Sequence, residues 1–267
     1  MTAPTSGRHR STPRFMRIAE HRALAYRQVW RGSIVTTVLN PILFLLAIGV
    51  GLGTLVDDDG ARTLDGVDYL DFVAPGLMAA TAMQIAVNEA TYPVLAAVKW
   101  IPTAIGQVAT PLRPIDIALG HQAWIAVRLA TSAIAFVAVM AVAGVIESGW
   151  VLTTPPVAVI GGLAFSAPIA AWSIGQQDDY FFPNLLRFVV LPMFLFSGTF
   201  FPVDQLPVVL RTLAWVTPLW HCVELVRGLT LGTASLAPSV GHLAVLVAYA
   251  ALGVIWCGRA YPRRLTP

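Results

Sequence analysis

Long apolar runs with few charged residues are the feature that most constrains the fold of this chain. Only 12% of its residues are charged and 57% are hydrophobic, whereas ordinary soluble domains carry about 25% charged residues. A run of about 20 apolar residues is long enough to cross the roughly 30 Å hydrocarbon core of a bilayer as an α-helix. With 267 residues, the chain has room for about six such helices and short loops. The sequence therefore predicts an all-α polytopic membrane protein.

Six apolar segments are predicted to be transmembrane helices. Their approximate bounds are 33–56, 72–97, 118–146, 156–174, 185–200 and 240–257. Arginines precede the first span at positions 8, 10, 14, 17, 22, 27 and 31, and others follow the last span at positions 259, 263 and 264. Because basic residues concentrate on the cytoplasmic side of a membrane, both termini are expected in the cytoplasm.

The distribution of apolar and charged residues also divides the chain into three parts. Residues 1–32 are predicted to form a cytoplasmic tail and an amphipathic helix, 33–258 the membrane domain, and 259–267 a cytoplasmic tail. In the amphipathic helix, from Arg14 to Arg31, apolar residues recur at helical spacing while charged residues such as Glu20 fill the other faces. We expect this helix to lie at the membrane surface, with its arginines facing lipid headgroups or a partner protein.

The segment from Leu185 to Gly228 departs from the pattern of a regular span. Its first part, through Phe200, would make a helix of about 24 Å, which barely crosses the hydrocarbon core. Pro202, Pro207 and Pro218 then interrupt a stretch that remains rich in Leu, Val, Trp and Phe. Irregular backbone survives at membrane depth only where protein or a water-filled cavity covers it. We therefore expect short re-entrant helices between spans five and six.

Two strings of residues resemble a known transporter family. The first is LPMFLFSGTFFPVDQLP at 191–207 followed by LAWVTPLWHCVELVRGLTLG at 213–232, and the second is ATPLRPIDIALG at 109–120. They are similar to sequences of ABC-2 type export permeases, especially the subgroup of the nodulation lipo-oligosaccharide exporter and the daunorubicin-resistance permeases. The resemblance implies a membrane subunit that exports an amphiphilic substrate, either a lipid-linked saccharide or a hydrophobic drug, across a bacterial plasma membrane.

The resemblance also implies that ATP and Mg are bound by another polypeptide. The expected partners are two copies of an ABC ATPase subunit and a second permease copy or homologue, together with membrane lipids. The residues agree, because a P-loop needs lysine directly after glycine and the only lysine, Lys99, follows a valine. No GxSxG or HExxH motif occurs either. We expect no catalytic residue and no bound cofactor in this chain, and no nucleic-acid partner.

Two other classes of protein are alternatives to the exporter subunit. A secondary drug or lipid transporter without an ATPase partner would be expected to show Gly/Pro-interrupted spans in both halves of the chain. Here the irregular region occurs once, near the C-terminal end. A membrane-embedded lipid-modifying enzyme would need clustered histidines and carboxylates at a membrane face, and the acidic segment 57–71 contains no histidine.

Coupling to the ATPase is predicted in the loop between the second and third spans. Pro102 can begin a short helix that runs through Ala109, and the pair Pro111 and Pro114 ends regular helix in this region. A stiff protrusion of this kind can transmit motion, whereas the alternative is an ordinary connection between spans. The residues assigned to coupling are Pro102, Ile105, Thr110, Pro111, Leu112, Arg113, Pro114 and Asp116, with Glu20, Asp178 and Asp179 expected on the same side.

Glu89 and Arg128 are the predicted intramembrane ionisable pair. They lie at similar depth in consecutive antiparallel spans, and charges at such depth pair with one another or line a wet cavity. Two interpretations stay open, namely a polar contact or latch in the substrate passage and a buried pair that fixes helix packing.

Four aromatic residues are candidates for an outer gate. Phe200, Phe201, Trp215 and Trp220 lie on the proline-broken segments, and the alternative is an aromatic belt at the membrane interface. His221 and Glu224 share a helical face nearby, but two ligands are too few for a metal site. No metal site is expected.

Overall fold

The computed structural model describes residues 13–27, 39, 42–47, 63–64 and 67–266. Apart from one antiparallel pair of two-residue strands, β1 (Thr63–Leu64) and β2 (Val67–Asp68), the regular structure of these residues is helical. The helices are α1 (Arg14–Tyr26), α2 (Tyr69–Ala90), α3 (Tyr92–Ala96), α4 (Thr103–Val108), α5 (Pro114–Ala143), α6 (Thr154–Ser173), α7 (Phe181–Phe196), α8 (Val208–Val216), α9 (Pro218–Leu231) and α10 (Leu236–Leu265).

Four helical segments of the described residues are long and apolar enough to cross a membrane. They are Tyr69–Ala96, Pro114–Ala143, Gly149–Ser173 and Leu236–Leu265. This architecture agrees with the prediction of an all-α polytopic membrane protein. The first predicted span, 33–56, lies mostly outside the described residues, so the count of six spans stays a prediction.

The fifth predicted span corresponds to α7, which is shorter than the four long helices. It begins at Phe181 and ends at Phe196, so it is shifted towards the N-terminus relative to the predicted 185–200. The earlier end has a local cause, because Gly198 adopts a φ of 80°, a left-handed conformation that glycine tolerates and that does not continue a helix. Its middle, Leu186–Val190, is a single π-helical stretch, a distortion that is rare in helices.

Prolines mark two other helix limits. Pro93 stands in the first turn of α3, just after the chain bends at Thr91. Pro114 was predicted to end regular helix, but it occupies the first turn of α5. Proline is favoured at that position because the missing N–H would have had no partner within the helix.

Helix α6 lies at the centre of the packing and contacts α2, α5, α9 and α10. Small residues allow these helices to approach closely, as is common between membrane helices. A Cβ added at Gly161 of α6 would overlap the Cys222 side chain of α9, and one added at Gly253 of α10 would lie 2.5 Å from the Pro168 nitrogen of α6. The Gly- and Ala-rich sequence of this span thus permits close helix packing.

The two ends of the helix bundle have their own apolar clusters. Ile18 of α1, Val94 of α3, Ala104 of α4, Ile174 after α6 and Tyr261 of α10 pack together at one end, which we call the α4 end. A smaller cluster of Val203, Leu206 and Ala214, joined by Phe196, Phe201, Leu210 and Trp220, lies around α8. We call this region the α8 end.

Helices α8 and α9 occur where broken helices were predicted. The Tyr249 hydroxyl donates to the Val216 carbonyl at 2.9 Å, at the junction of α8 and α9. Since Tyr249 is 13 residues into α10, the junction lies about 20 Å along that helix. At the other end of α9, the Glu147 N–H donates to the Thr230 carbonyl at 3.2 Å. Helix α9 therefore runs alongside α10.

Candidate functional site

The loop between α3 and α5 is an ordered protrusion at the α4 end. The Ala104 N–H donates to the Ala97 carbonyl at 2.9 Å, and Ala104 is buried. The Asp116 carboxylate accepts from the Arg113 backbone N–H at 3.0 Å, which fixes the first turn of α5. Thr110 also donates from its hydroxyl to the Gln107 carbonyl at 2.6 Å. The short helix predicted after Pro102 is therefore present as α4, with both ends held.

Three large apolar side chains of this protrusion face outward. Trp100, Ile101 and Ile105 are 49%, 66% and 53% exposed, and we call them the α4 patch. Neighbouring exposed apolar side chains are typical of sites that contact a protein or a membrane. Of the residues predicted for coupling, Ile105 belongs to this patch.

An ion pair connects the protrusion to the next turn at the same end. Lys99 pairs with the Asp178 carboxylate and also donates to the Gln177 carbonyl at 2.9 Å. The carbonyl of neighbouring Asp179 accepts from the Phe182 N–H at 3.0 Å, at the start of α7. Lys99 lies at the start of the loop that was predicted to carry coupling, and the structure brings it together with the predicted coupling residue Asp178.

Helix α1 packs directly on α5. Ile18 is buried, and a Cβ added at Gly120 of α5 would lie 2.5 Å from its Cβ atom. The Tyr26 ring meets the Trp124 ring edge-on at 5.2 Å. Burial lowers the pKa of the Arg22 guanidinium, while Tyr261 and Glu89 raise it. Because α1 is held by these contacts, its outward face, where Glu20 is exposed, stays open to lipid or a partner.

Glu89 and Arg128 form an ion pair between α2 and α5, as their depth predicted. The two side chains are 14% and 26% exposed. The Arg128 guanidinium lies 5.5 Å from the centre of the Tyr26 ring, a cation–π distance. Buried His121 donates from Nε2 to the Glu89 carbonyl at 3.0 Å. The pair thus connects α1, α2 and α5, and a place in the substrate passage stays a prediction.

Arg227 is the central polar residue of the α8 end. It is 8% exposed and donates to the carbonyls of Phe72 at 3.1 Å and Gly198 at 2.6 Å. Its Nη1 atom is 2.9 Å from the Glu224 carboxylate, and its guanidinium lies 3.7 Å from the centre of the Phe72 ring. The Arg227 side chain thus joins α2, α9 and the turn that follows α7.

A cavity of about 280 Å³ opens beside Arg227, and we call it the α8 cavity. The indoles of Trp215 and Trp220, with centroids 6.3 Å apart, line it together with Asp204 and Glu224. Aromatic faces and carboxylate acceptors can bind a ligand that has both apolar faces and hydroxyl groups. Two of the four predicted gate residues therefore lie in one cavity.

The other two predicted gate residues do not line the α8 cavity. Phe200 packs edge-on against Phe194 at 5.2 Å, and Phe201 against Phe196 at 6.5 Å. Both contacts are made with α7. The structure therefore places these phenylalanines in the packing between α7 and the following turn.

A histidine pair adjoins the α8 cavity. The Nδ1 atoms of His221 and His242 are 2.8 Å apart, so one ring donates and the other accepts. The Trp220 ring lies 4.8 Å and 5.0 Å from the two imidazoles. Within the described part of the chain, no three His, Cys, Asp or Glu side chains are arranged to hold a metal ion.

Arg227 and His242 were not among the predicted site residues. The available signal for Arg227 was its place in an otherwise apolar string, LVRGLTLG, where an arginine must find partners. For His242 the signal was weaker, because a histidine near the start of a span resembles an interfacial residue. Their partners, at positions 72, 198 and 221, are distant in sequence.

Comparisons with known proteins agree with this architecture. The sequence profile of the family described as ABC-2 type transporter matches residues 19–231. Nodulation protein J of Rhizobium leguminosarum bv. viciae is 33% identical over 228 residues, which is 85% of each chain. Nodulation protein J of Rhizobium meliloti (strain 1021) is 30% identical over 246 residues, which is 91% of each chain.

Proposed function

Because the chain belongs to the ABC-2 type transporter family, we propose that it is the membrane subunit of an ATP-driven exporter. Family membership makes it a multi-pass transmembrane transporter subunit. The complex we infer contains this chain, a second permease copy or homologue, and two copies of a separate ABC ATPase that binds ATP and Mg. In this proposal the chain supplies the passage and the coupling, and the ATPase supplies the chemistry.

The proposed orientation puts the α4 end in the cytoplasm of a bacterium, with both termini on that side. Support comes from the basic residues that flank the membrane domain, since such residues favour the cytoplasmic side. The end of α10, which carries Arg259, Arg263 and Arg264, packs into the same apolar cluster as α1 and α4. The protrusion that we assign to coupling would then face the ATPase.

The α4 patch is the observation that carries the assignment of coupling. Trp100, Ile101 and Ile105 form an exposed apolar surface beside the Lys99–Asp178 ion pair. An ATPase cleft that covers this patch would remove its apolar surface from water, which is the main favourable term in most protein association. The polar rim around an apolar centre is typical of protein interfaces.

The protrusion is connected to the membrane helices in a way that suits the transmission of force. On one side it is tied to α5 through the Arg113–Asp116 contact, and on the other it reaches the α6–α7 turn through Lys99. Displacement of α4 by the ATPase would therefore move α5, α6 and α7 together. Helix α7 leads directly to the turn at Gly198, which Arg227 holds at the α8 end.

An amphiphilic substrate is favoured by two cavities on opposite faces of α8. On one face, Trp215 lines the α8 cavity, which also contains two carboxylates. On the other face, Leu213 and Val216 line an apolar cavity of about 430 Å³, together with Phe188 and Tyr249. A ligand with a hydroxyl-rich ring and an acyl chain would match both surfaces. Between the two substrates that the family resemblance implies, this pairing favours the lipid-linked saccharide over the hydrophobic drug.

Co-purification with the ABC ATPase subunit of the same organism tests the assignment of coupling. We expect the double substitution Ile101→Asp/Ile105→Asp to abolish recovery of the ATPase with the tagged chain, because charges in the α4 patch oppose apolar burial. The matched control is Trp150→Asp/Leu152→Asp, which places two charges on exposed apolar residues before α6. Equal ATPase recovery by both double variants would remove the α4 patch from the coupling surface.

Replacing Thr110–Pro114 with a Gly/Ser segment tests the stiffness of the protrusion separately. This change leaves the apolar face of every membrane helix intact, so insertion should persist. Export should be lost, because a flexible connection cannot transmit the displacement of α4 to α5. Full transport by this variant would put coupling in α1 or in the turn at Asp178 and Asp179.

A further inference from the structure

A basic cavity of about 520 Å³ lies between α6 and α10 at the α4 end. Its walls combine three guanidinium groups, two indoles and one side-chain amide, which belong to Arg259, Arg263, Arg264, Trp172, Trp256 and Gln176. We call it the arginine cavity. It lies on the opposite end of the helix bundle from the α8 cavity.

Its charge is unbalanced. No aspartate or glutamate is among the residues that line the cavity in the described part of the chain. Arg259 and Arg263 are one helical turn apart, where like charges repel. The Nε atom of Arg264 is buried and has no hydrogen-bond acceptor among the described residues, while its Nη2 atom reaches the Gln177 side chain only at 3.5 Å. An anion in the cavity would relieve this repulsion and accept from these donors.

The donors fit a phosphate group. A guanidinium presents several N–H groups in one plane and binds phosphate oxygens in pairs. Three such groups around one cavity provide more donors than a carboxylate can accept. The cavity volume also exceeds the space of a single phosphate, so it has room for the rest of a headgroup.

The cavity is at the level of lipid headgroups. Helix α10 has 30 residues and is therefore about 45 Å long, whereas the hydrocarbon core is roughly 30 Å thick. With the core over the predicted span 240–257, the last two turns of α10, which carry the three arginines, would extend past the core. Trp172 and Trp256 lie beside them, and tryptophan concentrates at the boundary between hydrocarbon and headgroups.

We propose that the arginine cavity is a binding site for the phosphate headgroup of an anionic phospholipid. The acyl chains would lie along the exposed apolar face of α10, where Leu252 and Ile255 are exposed. Basic pockets between membrane helices are known to bind anionic headgroups. Arg264 connects the cavity to the neighbouring turn, because its Nη2 atom reaches the Gln177 side chain and the Gln177 carbonyl accepts from Lys99. A headgroup that orders Arg264 would therefore also stabilise the turn that carries Asp178.

The test uses the full-length chain purified in detergent, with lipid binding measured by native mass spectrometry and stability by thermal unfolding. Phosphatidylglycerol should bind and raise the unfolding temperature, whereas phosphatidylcholine and inorganic phosphate should do neither. In the variant Arg259→Gln/Arg263→Gln, we expect the affinity for phosphatidylglycerol to fall about 30-fold. Both arginines are exposed, so the fold should survive, and its thermal unfolding without lipid verifies this.

The matched control is Arg113→Gln/Arg187→Gln, which removes the same charge from two exposed arginines outside the cavity. This variant should bind phosphatidylglycerol as the unmodified chain does. An equal loss of phosphatidylglycerol affinity in both variants would mean that the lipid is attracted to any basic surface, and it would overturn the proposed site. Equal stabilisation by phosphatidylcholine, or by inorganic phosphate alone, would also overturn it.

Discussion

Substitution of Arg227 by methionine should destabilise the protein more than its place on a short helix suggests. The arginine donates to two backbone carbonyls, those of Phe72 and Gly198, and its guanidinium covers the Phe72 ring. Methionine is unbranched and fills irregular apolar space, so it preserves much of the packing. The two carbonyls, however, lose the guanidinium as a donor.

The size of the effect follows from those two carbonyls. The Gly198 carbonyl would be buried without a partner, at a cost of about 1–3 kcal/mol. The Phe72 carbonyl lies inside α2 and keeps its helical partner, the Gly76 N–H, so it loses one hydrogen bond worth about 0.5–1.5 kcal/mol. The loss of the Glu224 contact adds little, because that carboxylate is 38% exposed and water can replace the arginine. Together these losses come to at least about 1.5 kcal/mol. Since 1 kcal/mol shifts the melting temperature by roughly 2–4 °C for chains of 150–250 residues, the variant should melt at least about 3 °C lower.

Thermal unfolding in detergent, followed by loss of the monodisperse peak in gel filtration, measures this difference. The control is Glu224→Gln, which removes the ion pair but leaves both carbonyl contacts, and it should shift the melting temperature by less than about 2 °C. If Arg227→Met melted within 1 °C of the unmodified chain, or if Glu224→Gln were the more damaging change, the reasoning from buried carbonyls would be wrong.

Two further sets of substitutions test helix contacts near the α4 end. Glu89→Ala and Arg128→Ala should each destabilise the chain by up to about 3–5 kcal/mol, because each leaves a partner charge uncompensated. The double variant should lose less stability than the sum of the two single variants. Strict additivity in thermal unfolding would mean that the two side chains act separately. Gly120→Ala should loosen α1, because its Cβ would lie 2.5 Å from Ile18, whereas Gly106→Ala meets nothing within 4 Å and should be neutral. Limited proteolysis of α1 distinguishes these last two variants, and equal cleavage would argue against the close approach.

The helical architecture could be predicted because it depends on patterns that are local in sequence. Apolar runs set the positions of the long helices, and the prolines at 202, 207 and 218 indicated the short helices α8 and α9. The Glu89–Arg128 pair could also be predicted from the sequence, since two charges in adjacent antiparallel spans have few other partners.

The rest of the candidate sites depends on contacts that sequence spacing does not encode. Arg227 owes its importance to carbonyls at positions 72 and 198, and backbone carbonyls leave no mark in a sequence. Helix α7 ends earlier than predicted because the left-handed conformation of Gly198 outweighed the apolar composition of residues 197–200. Lys99 and Asp178 are likewise joined across 79 positions, where α3 packs on α6.

Reconstituted transport tests the central claim most directly. The chain would be placed in proteoliposomes alone and together with its ABC ATPase, and both ATP hydrolysis and movement of a lipid-linked saccharide would be measured. We predict no hydrolysis and no transport by the chain alone, because its single lysine does not follow a glycine, and ATP-dependent transport once the ATPase is added. ATP hydrolysis by the partner-free chain above a mock preparation, or transport driven by an ion gradient without the ATPase, would contradict the account.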